Sequence, residues 1–357
     1  MIEIRKDSKI GVICRGGPVN GPYSAAVLRT LKEGLAAHGL KIANLYGNSA
    51  AVPSAVLSAI GEDGVGCDIW ANLHPHDLII PQNGWSGRMR TIWRMLSSEA
   101  IFDDSPLEDL IKRVTPTRRV FADDALPVKL MAVDYLTGFP VTASNKNPKH
   151  RWNWHALELG SMALVPFLKP QIIYDVVADE LLADPYIRSG PLRDIAVLMD
   201  GGYADNLMFD AACRDTNSVV FVVDINGMQL GPLDTYRWDF WPNTLQRAFH
   251  VLVTTNDERR YHGVQRTNAV LHVRDELLRA VEELPPFNQV KLRILIEELE
   301  QRLELGRKHK VTIIPIQDRK CSRSFDFATF TPHETMHLLH CGEEAAQRVI
   351  DTIQVMS

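Results

Sequence analysis

The chain has 357 residues, enough for one large α/β domain or two small ones. Its 45% apolar and 23% charged content is that of an ordinary globular protein and argues against wholesale disorder. A formal net charge of −5 provides no broad basic footprint, so no nucleic-acid partner is expected.

Five cysteines, Cys14, Cys67, Cys213, Cys321 and Cys341, are scattered, odd in number and without a C-x-x-C pair. That pattern points away from a disulfide framework and from zinc, toward reduced thiols in a cytoplasmic protein. Met1 to Asp7 lack the apolar core of a signal peptide, and no run reaches the ~18 apolar residues of a membrane span. Contact with lipid is therefore expected to be peripheral.

In chain order, the apolar run Ile10 to Cys14 predicts a strand, followed by the loop Arg15-Gly16-Gly17-Pro18-Val19-Asn20-Gly21. Val27, Leu31 and Leu35 recur at helical spacing, and Gly39 is placed to end that helix. A second strand over Lys41 to Tyr46 runs into Gly47-Asn48-Ser49-Ala50-Ala51, and Val52, Val56 and Ile60 mark the buried face of the next helix. Two strands joined by a helix make a right-handed βαβ unit. Later apolar runs, Val128 to Val133, Ile195 to Met199, Ser218 to Asp224 and Val311 to Ile316, have the character of strands covered on both faces. The expected architecture is a three-layer α/β/α sandwich with a mainly parallel central sheet. The expected organisation is a single domain over 1–357, with a core over about 9–226 and 310–350 and a helical insertion over about 242–307 broken by Pro285-Pro286. Trp70, Trp85 and Trp93 lie in a second added segment, from about Ile69 to Ser98, with the character of a lid or interfacial stretch. Trp238, Asp239, Phe240 and Trp241 form another apolar cluster.

Three strand ends carry chemistry. The glycine loop offers converging backbone N–H groups, which suit a phosphate or an oxyanion. The dinucleotide reading needs an acid near the end of the second strand, and Lys41 to Asn48 contains none. No Walker motif is present either. Gly47-Asn48-Ser49 sits between strand and helix, the context that lifts a serine hydroxyl above a sheet edge. Asp200-Gly201-Gly202 ends a strand with a carboxylate at the expected rim. Backbone donors, a hydroxyl and a carboxylate together are what acyl transfer requires.

This set resembles the patatin-like phospholipase family, which carries a glycine-rich loop, a G-x-S-x-G serine and a D-G-[GA] aspartate in that order. Ala132-Val-Asp-Tyr-Leu-Thr-Gly138, Gly160-Ser-Met-Ala-Leu-Val-Pro166-Phe-Leu-Lys-Pro170, Ile101 to Leu107, and Asp200 to Asn206 are also similar to family segments, so the likeness runs over about 9–226. The resemblance implies a Ser–Asp dyad, with Ser49 as nucleophile and Asp200 as base, an acyl-enzyme, and a lipid or other acyl ester as substrate. Gly16, Gly17, Val19, Asn20 and Ala50 are the expected oxyanion and substrate-binding residues, and neither cofactor nor metal is implied. Pro18, Asn20 and Ala51 stand where the family has a third glycine, an arginine and the last glycine of the serine motif. The competing reading is a weak or inactive member that binds lipid or protein.

His333, His337 and His340 lack H-E-x-x-H spacing, and Met336, Leu338 and Leu339 between them suggest a C-terminal helix packed on the sheet. The mixed Glu, Arg and Leu of 256–307 suit solvated amphipathic helices, with room for a homo-oligomer contact.

Overall fold

The computed structural model describes residues 1–80, 100–174, 195–204, 206–225, 241–283, 285–302, 309–318, 320–321 and 330–356. It has an α/β architecture, with a mixed, mostly parallel central sheet flanked by helices. The strands are β1 (Ile2–Arg5), β2 (Ile10–Cys14), β3 (Ile42–Asn48), β4 (Val128–Asp134), β5 (Pro140–Ser144), β6 (Gln171–Tyr174), β7 (Ile195–Asp200), β8 (Val219–Val223), β9 (Thr312–Ile316) and β10 (Ile353–Met356). The main sheet runs β6-β7-β4-β3-β2-β8-β9, with β5 paired to β4.

The continuous apolar runs account for the centre of this sheet. All five residues of β2 and of β8 are buried, because helices cover both faces. Helix α1 (Asn20–Ala37) returns the chain from β2 to β3, burying Val27, Leu31 and Leu35, and Gly39 adopts φ +71° just beyond its end. Helix α2 (Val52–Ala59) follows β3 directly and buries Val52 and Val56. Helix α3 (Asp63–Asn72) brings in Trp70, whose ring nitrogen donates to Ser54 Oγ at 3.1 Å. Trp85, Trp93, Trp238, Asp239 and Phe240 lie outside the described residues.

Two expectations need correction. Strand β7 pairs antiparallel with β4, so the apolar run before Asp200 enters the sheet from beyond the carboxyl end of β4 and runs back into it. An apolar run reads alike in either direction, which is why the sequence suggested another parallel strand. The five cysteines are not all thiols: Cys321 and Cys341 form a disulfide across 20 positions, while Cys14, Cys67 and Cys213 are outside it. The sequence also gives no hint of β1, whose alternating Ile2-Glu3-Ile4-Arg5 pairs in parallel with β10 as a separate two-stranded sheet.

Helix α4 (Ser105–Val114) precedes β4, and α5 (Trp154–Met162) and α6 (Phe209–Arg214) flank the second half of the sheet. The next two helices are α7 (Trp241–Glu282) and α8 (Pro286–Arg302), the second opening on Pro286. The C-terminal helix α9 (Pro332–Ile350) opens on a capping box between Thr331 and Glu334. It packs along α1 as well as touching β9, and so closely that a Cβ on Gly342 would fall 2.5 Å from the Tyr23 carbonyl oxygen. Among the described residues no helix is long and apolar enough to cross a membrane.

One buried carboxyl lies apart from the strand ends that carry Ser49 and Asp200. Glu158 of α5 is fully buried and accepts from the Trp154 ring nitrogen at 2.7 Å. It also lies 2.8 Å from Thr115 Oγ1, which is itself 2.8 Å from the Ile111 carbonyl oxygen. A hydroxyl has one hydrogen, so when Thr115 donates to Ile111 the Glu158 carboxyl must supply the proton between them. Burial pushes the Glu158 pKa up from 4.5 to about 8, against the pull of its two hydrogen bonds, consistent with a neutral acid at pH 7. The folded chain thus keeps a proton that the unfolded chain releases between about 4.5 and about 8. Stability from this group is full below that window and declines as pH rises through it. Glu158→Gln should therefore gain in melting temperature on the wild type across the window and hold a constant lead above it; parallel melting curves at all pH values would show that Glu158 is ionised in the fold.

Candidate active site

The turn that carries Ser49 begins with a steric demand. Helix α2 starts so close to β3 that a Cβ on Gly47 would lie 2.8 Å from that of Ala55. Asn48 remains extended, at φ −134° and ψ 145°. Ser49 then takes φ +50°, a left-handed conformation costing a serine roughly 1–3 kcal/mol. The chain reverses through a short turn, Ser49–Ala51, straight into α2. Ser49 and Ala50 are half-buried, and Ala51, at the place of the motif's last glycine, is fully buried without distorting the turn. The Ser49 amide donates to Ser161 Oγ at 3.3 Å, and Ser161 donates in turn to the Met131 carbonyl of β4.

Strand β4 brings Asp200 to Ser49. Met131 is paired with Asn48 of β3, and the next residue, Ala132, with Asp200 of β7. Ser49 Oγ donates to Asp200 Oδ2 at 2.6 Å across 151 positions of sequence. The other carboxylate oxygen accepts from the Gly202 amide at 2.8 Å. No histidine stands between hydroxyl and carboxylate. Gly201 is required where it is: a Cβ there would strike the Met131 carbonyl and come within 2.5 Å of Asn48 Oδ1. Asp200 is only 2% exposed. Burial raises its pKa to about 6, the hydrogen bonds from Ser49 and Gly202 pulling the other way. A carboxylate with that proton affinity is a better proton acceptor than a solvated one while remaining ionised near neutrality.

The glycine loop lies against the serine, and its amides divide into two groups. Gly16 is pressed onto the turn, since a Cβ would lie 2.6 Å from Ser49 Cβ. Its N–H, however, donates to Asn206 Oδ1 at 2.9 Å and is not directed into the open rim. Asn20 likewise braces the loop: its amide nitrogen donates to the Gly16 carbonyl at 2.9 Å, and its oxygen accepts from Ile225 at 3.0 Å. Gly16 and Asn20 were expected to face substrate, and both spend these groups inside the protein. The N–H groups of Gly17, which adopts φ +116°, and of Val19 are left without an acceptor among the described residues. Pro18 between them has no N–H.

Several residues build the site without having been expected as site residues. Asn206, which ends the family-like aspartate segment, is the clearest: its oxygen accepts from both Gly16 and Asn48, at 2.9 and 3.1 Å, joining the glycine loop, the serine strand and the aspartate segment. Arg15, 3% exposed, lies between Asp224 after β8, at 3.1 Å, and Asp257 of α7, at 2.9 Å. These ion pairs tie the first residue of the glycine loop to the helical insertion. Partners 209 and 242 positions away cannot be read from spacing.

No protein-family model matches the chain, and no curated protein matches it. Among solved structures, VipD from Legionella pneumophila overlaps 97% of this chain and 67% of its own, at 9% identity and a TM-score of 0.41. A likeness at that level decides nothing about fold or chemistry.

Asp257→Ala leaves Arg15 paired with Asp224 but removes a buried hydrogen bond between charged groups, which typically contributes about 1.5–3 kcal/mol. The variant should lower the unfolding free energy by roughly that amount in urea titration; a loss below about 1 kcal/mol, the value of a surface pair, would mean that α7 does not hold Arg15 in solution.

Proposed function

We propose that the chain is a patatin-like lipid acyl hydrolase, with the three-layer sandwich of that family and Ser49 and Asp200 as its dyad. The single observation that carries this reading is the 2.6 Å hydrogen bond from Ser49 Oγ to the buried Asp200 carboxylate. The left-handed Ser49, the glycine loop pressed against it and the family-like segments along 9–226 support the same assignment.

In this mechanism Ser49 Oγ attacks an ester carbonyl while its proton passes to Asp200 Oδ2. The alcohol leaves with that proton, an acyl-serine remains, and Asp200 then accepts a proton from the water that hydrolyses it. Negative charge on the former carbonyl oxygen is met by the Gly17 and Val19 amides and by Ala50, next to the nucleophile at the start of α2. The Gly16 amide and the Asn20 side chain act one step behind, holding the loop in place.

A lipid substrate is supported by the loop after β4. Tyr135, Leu136 and Phe139 are 57%, 52% and 42% exposed. Asp134 holds the loop they stand on, accepting from Leu136 N at 3.3 Å and from Thr137 Oγ1 at 2.7 Å. A firm loop displaying apolar side chains at the carboxyl end of β4 suits peripheral contact with a lipid surface. The competing reading, a family member that binds lipid without turnover, is favoured by one observation: Gly16 N–H is occupied and Pro18 has none, so the loop offers fewer oxyanion donors than its glycines suggest.

A fluorophosphonate should label Ser49 covalently, and Ser49→Ala and Asp200→Asn should each lower ester hydrolysis by about four orders of magnitude or more. Asp200 must be ionised to accept the proton, so kcat/KM of the wild type should rise with pH through about 6 and stay level above it. Hydrolysis that survives Ser49→Ala would remove the nucleophile, and wild-type protein inert to both probe and esters would favour the binding module.

A further inference from the structure

The disulfide between Cys321 and Cys341 has an imidazole beside it. Cys341 and His337 lie four residues apart on α9 and so share one face of that helix. Cys321 follows β9, with its amide donating to the Asp318 carbonyl at 3.1 Å. One ligand atom from each of the three residues lies within 4.8 Å of the other two. Cys341 is buried, and Cys321 and His337 are half-buried. The two neighbouring histidines are turned outward: His333 is exposed, and His340 pairs with Glu344 at 3.1 Å. The sequence therefore presents three histidines, and the fold selects the one that meets two sulfurs.

We propose that Cys321, His337 and Cys341, with the disulfide reduced, form a binding site for one zinc-class divalent cation. Two thiolates and an imidazole are a soft donor set that suits zinc, and three protein ligands leave one coordination position for water or another donor. Ligands on a shared tetrahedral zinc, with bonds near 2.3 Å to sulfur and 2.0–2.1 Å to nitrogen, stand about 3.6 Å apart. Cys341 Sγ and His337 Nε2 are already 3.7 Å apart. Only the sulfur–sulfur bond must open, and Cys321 is on a loop rather than within a helix. A disulfide alone has no need of His337, whereas a metal does.

The chemistry balances with a trialkylphosphine as reductant. The phosphine takes the oxygen of one water and becomes its oxide, while the two hydrogens go to the sulfurs, giving two thiols. Each thiol then loses its proton as its sulfur binds the cation, and His337 contributes the Nε2 lone pair. Sulfurs bonded to each other cannot both be thiolate ligands, so disulfide and metal exclude one another. The site is separate from the Ser49–Asp200 dyad, and the proposal stands or falls independently of the hydrolase reading.

The full chain, reduced with a trialkylphosphine and kept anaerobic, should be titrated with Co²⁺ and then with Zn²⁺. One equivalent of cobalt is expected, with a thiolate-to-cobalt charge-transfer band and the strong visible bands of tetrahedral coordination, all lost as zinc displaces it. Unreduced protein should give no such bands. His337→Ala should weaken zinc binding by at least about a hundredfold, since even residues behind the ligands cost 10- to 100-fold. Cys341→Ser should abolish the charge-transfer band, and if the buried position does not tolerate serine, Cys321→Ser on the loop makes the same test. The three cysteines outside the disulfide, Cys14, Cys67 and Cys213, remain in every variant, so loss of binding in these variants locates the site. Reduced wild type that takes up no stoichiometric cobalt, or His337→Ala that binds as the wild type does, would leave a structural disulfide and overturn the proposal.

Discussion

One edge of strand β4 pairs first with the parallel β3 and then with the antiparallel β7, while β5 holds the other edge, and the candidate site exists where one partner gives way to the next. Met131 faces the last residue of β3, and Ala132 faces the last residue of β7. One step along β4 therefore sets the distance between serine and aspartate. Side chains alternate along a strand, so a slip of β7 by one residue would turn Asp200 to the opposite face. The register is secured at the same place. The Asp200 amide donates to the Ala163 carbonyl at 2.9 Å, and Gly201 fits only because it has no side chain to strike Met131. The close approach that makes the dyad also removes freedom from the residues around it.

Beneath the dyad the buried polar groups are mostly neutral. Asn48, Asn206 and Asn20 each carry a donor and an acceptor, so they can join three loops without bringing a second charge next to Asp200. Formal charge is set further back, at Arg15, where Asp224 and Asp257 compensate it. This arrangement leaves Asp200 with burial as the dominant influence on its proton affinity, and a hydroxyl and one amide as its hydrogen-bond donors. A cation in hydrogen-bond contact would have pulled its pKa down and weakened it as a base.

Much of the central sheet could be read in advance, because strands covered on both faces tend to be continuously apolar: β2 and β8 are so throughout, and β3 and β4 are so for most of their length. Ser49 and Asp200 were legible for a related reason: glycines flank them where backbone crowds backbone, and Gly47 and Gly201 would clash with any side chain. What could not be read is whatever depends on direction or on distant partners. Amide direction follows from local dihedrals, so the inward use of Gly16 N–H was hidden, as was the bracing role of Asn20. The polarity of β7, the pairing of Arg15 with Asp257, and the meeting of Cys321 with His337 depend on where remote segments arrive. Strand β1 was missed because two apolar residues among charged ones give a weak strand signal. Ser161 was quoted within a family-like segment, but its hold on the Ser49 amide follows only from the packing of α5 against β4.

The pairing of β1 with β10 has a bearing on how the chain is made. Ile2–Arg5 are made long before Ile353–Met356, the strand that pairs with them. The segments that carry Ser49, Asp200 and Asn206 are all synthesised long before that. During translation the main sheet can assemble through β8 while β1 waits with an open edge, a loop closure of 351 positions (353 minus 2) still ahead of it. The small sheet is thus a closing seam, completed after the large one, and a nascent chain halted short of residue 353 would keep that edge bare.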